Sequence, residues 1–295
     1  MRKILVLLFT VFLSLTGYSQ VKSTNYSVGM NYLNNYVFNG RSDSLNMTYF
    51  IPSFTYENEN GLTLNSDIYF ISNSANKGFD FLELNAEYEF DIYKKLSGGV
   101  NATKFFSNGK SDSFIGNLSF TVGGYLSQDL GIFELSSDFD LLKGSGYSDI
   151  RISPGIEKTF SWEKGDHYFE IVPSFYAVFS TLNYFEGYTN IRKVNRLKSG
   201  PILPINTTIN TVVTNPGFTF LAYEISLPLT YETSTFGISV QPTFAMPKNP
   251  IITNEITTTT AGGRVINTTT VNDTPYSERN LTNLFYGQIN LYLKF

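Results

Sequence analysis

Residues 284–295 read LFYGQINLYLKF. Counting back from the end, Phe295, Leu293, Leu291, Ile289, Gly287 and Phe285 occupy every second position, with Lys294, Tyr292, Asn290, Gln288 and Tyr286 between them. A strand sends successive side chains to opposite faces, so this stretch is a strand with one apolar and one polar side. The ends of most soluble domains fray. Here the end carries the most regular alternation in the chain, and an aromatic is its final residue.

The same period of two recurs upstream. Tyr26, Val28, Met30, Tyr32, Tyr36 and Phe38 share a face; so do Phe114, Leu118, Phe120, Val122 and Leu126; so do Phe133, Leu135, Phe139 and Leu141; and so do Leu221, Tyr223, Ile225, Leu227, Leu229 and Tyr231. No stretch carries apolar residues at helical spacing. The alternation predicts twelve strands, at 26–38, 45–56, 61–71, 79–91, 97–106, 113–126, 131–142, 148–161, 167–180, 217–232, 235–247 and 281–295.

Their connections sort into two kinds. Short turns fall at 57–60, 92–96, 127–130, 162–166 and 233–234, and polar loops at 39–44, 72–78, 107–112, 143–147, 181–216 and 248–280. A soluble sandwich has no reason to sort its connections this way. A transmembrane barrel does, with tight periplasmic turns and longer extracellular loops. The strands exceed the usual length of about 5–6 residues and suffice to cross hydrocarbon, where about 9–11 tilted residues are needed. Only a closed barrel satisfies strand backbones in lipid. The expected fold is therefore all-β: a single antiparallel transmembrane β-barrel of about twelve strands. Pro52, Pro154, Pro173, Pro228 and Pro242 fall inside these strands. Each removes a ladder donor, and they read as bulges or bends that curve the sheet, unless the strand boundaries lie elsewhere.

Composition agrees. The 295 residues are 16% charged and include 20 Tyr, 26 Phe and no Cys, with a net charge of −4. No disulfide framework is available. The mild acidity argues against a nucleic-acid partner, which calls for concentrated positive charge. Arg2 and Lys3 precede an apolar run from Ile4 to Leu15, and Gly17-Tyr18-Ser19 follows. That pattern predicts a signal peptide over 1–19 with the barrel over 20–295. The run is too short for a membrane anchor, which needs roughly 20 residues.

With the signal peptide, the strand count and a terminal strand ending in Phe, the chain resembles the small outer-membrane β-barrel proteins of Gram-negative bacteria. Its Tyr/Phe/Asn-rich composition and its Tyr18-Ser19-Gln20 junction look most like the members from Bacteroidota. The resemblance implies an outer-membrane location. It also implies that Phe285, Ile289, Leu291, Leu293 and Phe295 serve as the assembly signal read by the outer-membrane insertion machinery.

If the apolar face meets lipid, the polar face lines an enclosed lumen. That face carries Asp67, Glu83, Glu87, Glu89, Glu134, Asp138, Asp140, Glu157, Glu170 and Glu224. Arg151 is the clearest basic counterpart, and Lys104 is a second whose strand phase is ambiguous. Reflection about residues 145–146 sets Asp140 opposite Arg151, a candidate ion pair. Reflection about residue 75 sets Asp67 near Glu83, two like charges that must be hydrated, share a proton or hold a cation. Two functions follow. One is a passive or weakly cation-preferring channel for small polar solutes, since acidic linings favour cations. The other is a non-conducting structural or interaction barrel that uses its long loops, as a subunit of an envelope assembly. Twelve strands lie between the side-chain-filled barrel of eight and the wide pore of sixteen.

The loops carry basic residues, clustered as Arg192, Lys193, Arg196 and Lys198. The cluster suits lipopolysaccharide phosphates, and ordinary solvated loop charge is the alternative. The stretch 252–274 is rich in Thr and Asn and reads as a hairpin turning at Ala261-Gly262-Gly263, or as an irregular loop. No enzyme is expected. The chain has a single histidine, His167, beside a short turn and without a serine two residues away. It has no GxSxG, HExxH, phosphate-binding loop or EF-hand. No cofactor and no metal are expected.

Overall fold

The computed structural model describes residues 25–42, 47–72, 77–107, 118–181, 183, 205–213, 217–249, 253–261, 264–272 and 282–295. The expected signal peptide, its cleavage site and the basic cluster at 192–198 lie outside these residues. Among the described residues, no helix is long and apolar enough to cross a membrane.

Twelve strands form the wall. They are β1 (Asn25–Leu33), β2 (Tyr49–Glu57), β3 (Leu62–Ile71), β4 (Gly78–Tyr93), β5 (Leu96–Ser107), β6 (Leu118–Asp129) and β7 (Glu134–Gly144). Next come β8 (Ser148–Glu157, continued by Phe160–Lys164) and β9 (His167–Ile171 then Ser174–Ser180). The last are β10 (Thr219–Ser226 then Leu229–Glu232), β11 (Phe236–Pro247) and β12 (Leu284–Lys294). Each is antiparallel to its sequence neighbours, and β12 pairs with both β11 and β1, which closes the barrel. The terminal residue completes the seam: Phe295 donates its N–H to the Tyr26 carbonyl at 2.8 Å, and Tyr26 donates back at 3.3 Å.

The wall is apolar outside. Val28, Phe54, Leu84, Val122, Phe139, Ile225 and Leu291 all point out and are exposed. So do Phe285, Ile289, Leu293 and Phe295 of the terminal stretch. The five short connections lie at one end. Asn58 closes the first by accepting from the backbone N–H groups of Asn60 and Leu62, and Gly61, Lys94, Gly131 and Gly165 turn the chain at positive φ.

The prolines sit differently from the expectation. In the described part of the wall the register slips fall at Tyr69/Phe70, Asp91/Tyr93, Leu118/Phe120 and Val178/Phe179, and none is at a proline. Pro52, Pro154 and Pro242 stay in the ladder on one side, opposite Met30, Ser137 and Gly287, and are skipped by the pairing on the other, whereas Pro173 and Pro228 interrupt β9 and β10. A diagonal of bonds crosses the gap: Lys158 N–H to the Pro173 carbonyl, Val172 to Pro228, and Leu227 to Pro242. A proline still accepts, so the break is a step in the ladder.

A second sheet is built from the two longest connections. Thr253–Ala261 and Arg264–Asn272 form the expected hairpin, and Ile205–Val213 pairs along its first arm from Ile205 opposite Ala261 to Val213 opposite Thr253.

Candidate functional site: an acidic lumen beneath an apolar plug

The connection between β1 and β2 does not stand above the barrel. Its sequence holds Val37-Phe38-Asn39-Gly40-Arg41-Ser42, a two-residue hairpin in which Asn39 and Gly40 have φ of 52° and 73°. Asn-Gly is the pair that tolerates positive φ at both central positions of such a turn. The hairpin enters the long-loop end of the barrel. Phe38 is buried there with Met47, Tyr49, Phe81, Phe105, Leu142 and Tyr147. Tyr69 stacks on Phe81 at 4.1 Å, and Tyr49 meets Tyr36, Tyr69 and Phe81 edge-on. The Tyr49 hydroxyl donates to the buried Asp80 carboxylate at 2.8 Å. Tyr36 and Phe38 therefore leave the lipid face on which their spacing had placed them, because β1 ends at Leu33.

Two slips in the wall feed the same plug. Leu118 shares parity with Phe120 and Val122, and Leu221 with Ile225, so unbroken strands would send both outward. The slips at Leu118/Phe120 and at Val178/Phe179, opposite Leu221, turn them inward, where both are buried. A one-residue shift flips every side chain beyond it to the other face.

The plug is tied down. Arg41 is buried and donates from Nη2 to the carbonyls of Lys248 at 2.6 Å and Asn249 at 3.0 Å. Asn249 in turn donates to the Phe220 carbonyl at 2.7 Å. The Gly40 N–H bonds the Glu224 carboxylate. A Cβ on Gly40 would lie 2.2 Å from that of Ala222, so only glycine fits this contact.

Beneath the plug is a cavity of about 560 Å³ lined by Glu83, Glu87, Asp138, Asp140, Arg151 and Glu224 among neutral polar groups and tyrosines, with Phe38, Phe105, Leu118 and Leu142 of the plug cluster also on its wall. Asp140 and Arg151 face each other across β7 and β8 and form the expected ion pair, with Nη2 at 2.7 Å and Nε at 2.9 Å from one carboxylate oxygen. Asp67 lies directly opposite Glu83. Glu157 accepts from the Tyr176 hydroxyl at 2.7 Å, Glu134 accepts from Ser127, and Glu89 sits across from Gly99. Glu170 lies lower, in a second cavity of about 770 Å³ with Glu57, Glu232 and Lys294. The two cavities share no lining residue. Lys104 is not in the lumen: it is exposed on the outer wall, across from Leu84.

Three tyrosines lie flat across the inner wall, each over the glycine directly opposite it: Tyr125 over Gly99, Tyr176 over Gly155 and Tyr292 over Gly237. A Cβ on those glycines would stand 2.2–2.3 Å from a ring atom. The missing side chain on one strand makes room for the large one on the next, which narrows the lumen without filling it.

The sequence reading missed the plug, although Asn39-Gly40 between Val37-Phe38 and Arg41-Ser42 was the signal for it. The acidic lining and its ion pair were visible. His167 stacks beside Tyr231 at the short-turn rim, its Nδ1 2.8 Å from that hydroxyl.

No family model matches the chain, and a search of the curated proteins finds no match. Among solved structures it is similar to a bacterial polysaccharide outer-membrane secretin, at 8% identity and TM-score 0.34, covering 94% of this chain and 99% of that one. It is also similar to an anion-selective porin from Comamonas acidovorans, at 9% identity and TM-score 0.25, covering 94% and 100%. What the fold itself defines is a closed, twelve-stranded antiparallel barrel, apolar outside and polar within.

Proposed function

We propose that the chain is an outer-membrane barrel of a Gram-negative bacterium whose acidic lumen passes small polar solutes, cations preferentially, when its first loop leaves the mouth. The apolar outer wall suits hydrocarbon, since exposed patches of this extent are rare on soluble monomers. The short turns then face the periplasm and the long loops the exterior. The observation that carries the reading is the buried hairpin 37–42 seated over a carboxylate-lined cavity. An apolar plug bars ions, and the carboxylates beneath it favour cations once it is gone. The insertion machinery, reading the strand that ends in Phe295, is the partner during assembly. The reading assigns the protein no catalytic role, metal or cofactor.

Planar-bilayer recordings test it. The full chain should conduct rarely, and a variant lacking residues 37–42 should show frequent cation-selective steps. Silence from both, with the barrel intact, would remove the conduit.

The second reading is a non-conducting interaction barrel. The sheet shared by the two longest loops favours it, because it makes a regular platform from chain that a conduit does not require. Removing Thr253–Asn272 would then release an envelope partner in mild detergent while leaving conductance unchanged.

A further inference from the structure

Lys104 is out of place by the ordinary rules of a lipid-facing wall. It projects outward between Leu84 on one neighbouring strand and Phe120 on the other. A lysine there is costly at the bilayer midplane and close to neutral near the interface. Its ammonium group leans to the long-loop end, 5.5 Å from the centre of the Phe106 ring two residues further on. Phe120 is in turn directly opposite Lys143, which is also exposed on the outer wall. Lys104, Phe120 and Lys143 thus form one lateral row across β5, β6 and β7, with the two lysines roughly 10 Å apart along the hydrogen-bonding direction. Lys143 bonds the Ser148 hydroxyl at 2.8 Å. Among the described residues, neither lysine has a carboxylate partner.

Towards the short-turn end, the next outward row is small and apolar. Ala86 and Ala102 face each other, flanked by Leu64 and Val122. Short side chains here, beside the larger Phe54 and Phe120, leave a shallow groove of about 480 Å³ with Lys104 at its upper edge. A groove for hydrocarbon running down from a pair of ammonium groups has the shape and polarity of one kind of ligand, a lipid with an anionic head.

We infer that Lys104 and Lys143 hold a phosphate of an acylated, phosphorylated glycolipid of the outer leaflet, with an acyl chain lying over Ala86 and Ala102. The inference rests on the outer-membrane reading above, which sets the long-loop end at the exterior. Flexible lysine stems bring both ammonium groups up to one phosphate at the interface. The phosphate supplies the counter-charge that the wall lacks, and the groove supplies the fit for the chain. This site is on the barrel wall and is independent of the loop cluster at 192–198.

Native mass spectrometry of the full chain in mild detergent, titrated with bisphosphorylated lipid A and with its dephosphorylated form, tests the site. The phosphorylated lipid should bind preferentially. K104Q/K143Q should weaken that binding about ten-fold or more, while K104R/K143R should retain it. A102F, which fills the groove but keeps both charges, should also weaken it. Equal binding of the two lipids, or binding unchanged in K104Q/K143Q, would overturn the inference. Outer-membrane fractionation and heat-modifiable mobility are read on the same proteins. A barrel that assembles in the outer membrane without phosphate preference refutes only this site. A chain absent from that membrane refutes the reading beneath it.

Discussion

Arg41 reaches from the hairpin in the barrel mouth to the backbone carbonyl of Lys248, at 2.6 Å, at the far end of β11. The contact joins residues 207 apart in sequence and locks the first loop to the start of the last one. Hydrogen bonds from a charged donor are worth about 1.5–3 kcal/mol, and a buried one is costly to break. Arg41→Ala should therefore loosen the plug without unfolding the barrel. Bilayer recordings should show openings at least ten-fold more frequent than in the parent, because about 1.4 kcal/mol is a factor of ten.

Gly40 is a sharper probe of the same hairpin. Its φ of 73° and its contact with Ala222 both exclude a side chain. Gly40→Val adds a left-handed strain of about 1–2 kcal/mol to a steric clash. The hairpin should be expelled, and limited proteolysis from outside should cut between residues 37 and 42 in the variant but not in the parent.

The lumen charges set the sign of selectivity. Arg151 offsets one of the carboxylates of the upper cavity through its pair with Asp140. In a background lacking residues 37–42, Arg151→Gln should raise the cation-to-anion permeability ratio. Neutralising Asp67, Glu83, Glu87 and Asp138 should lower it by roughly half or more. Reversal potentials in a salt gradient measure both.

Phe295 closes the seam against Tyr26 with a pair of backbone hydrogen bonds and projects its ring outward. Deleting it removes both bonds and the last apolar residue of the alternating row. The heat-modifiable, folded fraction in outer membranes should fall several-fold, while the protein that does assemble should keep the parent's conductance.

The wall was legible in the sequence because a strand repeats every two residues and the outward face is apolar along each strand. Reflection about the loops even placed Asp140 opposite Arg151 and Asp67 opposite Glu83, since a tight hairpin fixes register. The plug was not legible in this way. Tyr36 and Phe38 continue the parity of β1, so nothing in the alternation announces that the chain turns inward after Leu33. Leu118 and Leu221 also keep the outward parity, and only a slip in pairing sends them into the mouth. The tyrosines over Gly99, Gly155 and Gly237 required the register between strands, which no single strand encodes. Lys104 was ambiguous because a charged side chain keeps the outward parity of Ala102 and Phe106, and only its pairing with Leu84 and Phe120 shows that it lies on the outer wall.

Hairpin 37–42 should seal the acidic cavity from the exterior. The chain has no cysteine, so one can be introduced cleanly. Thr121→Cys places a thiol in the wall of that cavity. Intact cells would be treated with a bulky, membrane-impermeant maleimide. The thiol should be protected in the full chain and label rapidly in the variant lacking residues 37–42. Equal labelling of the two would contradict it.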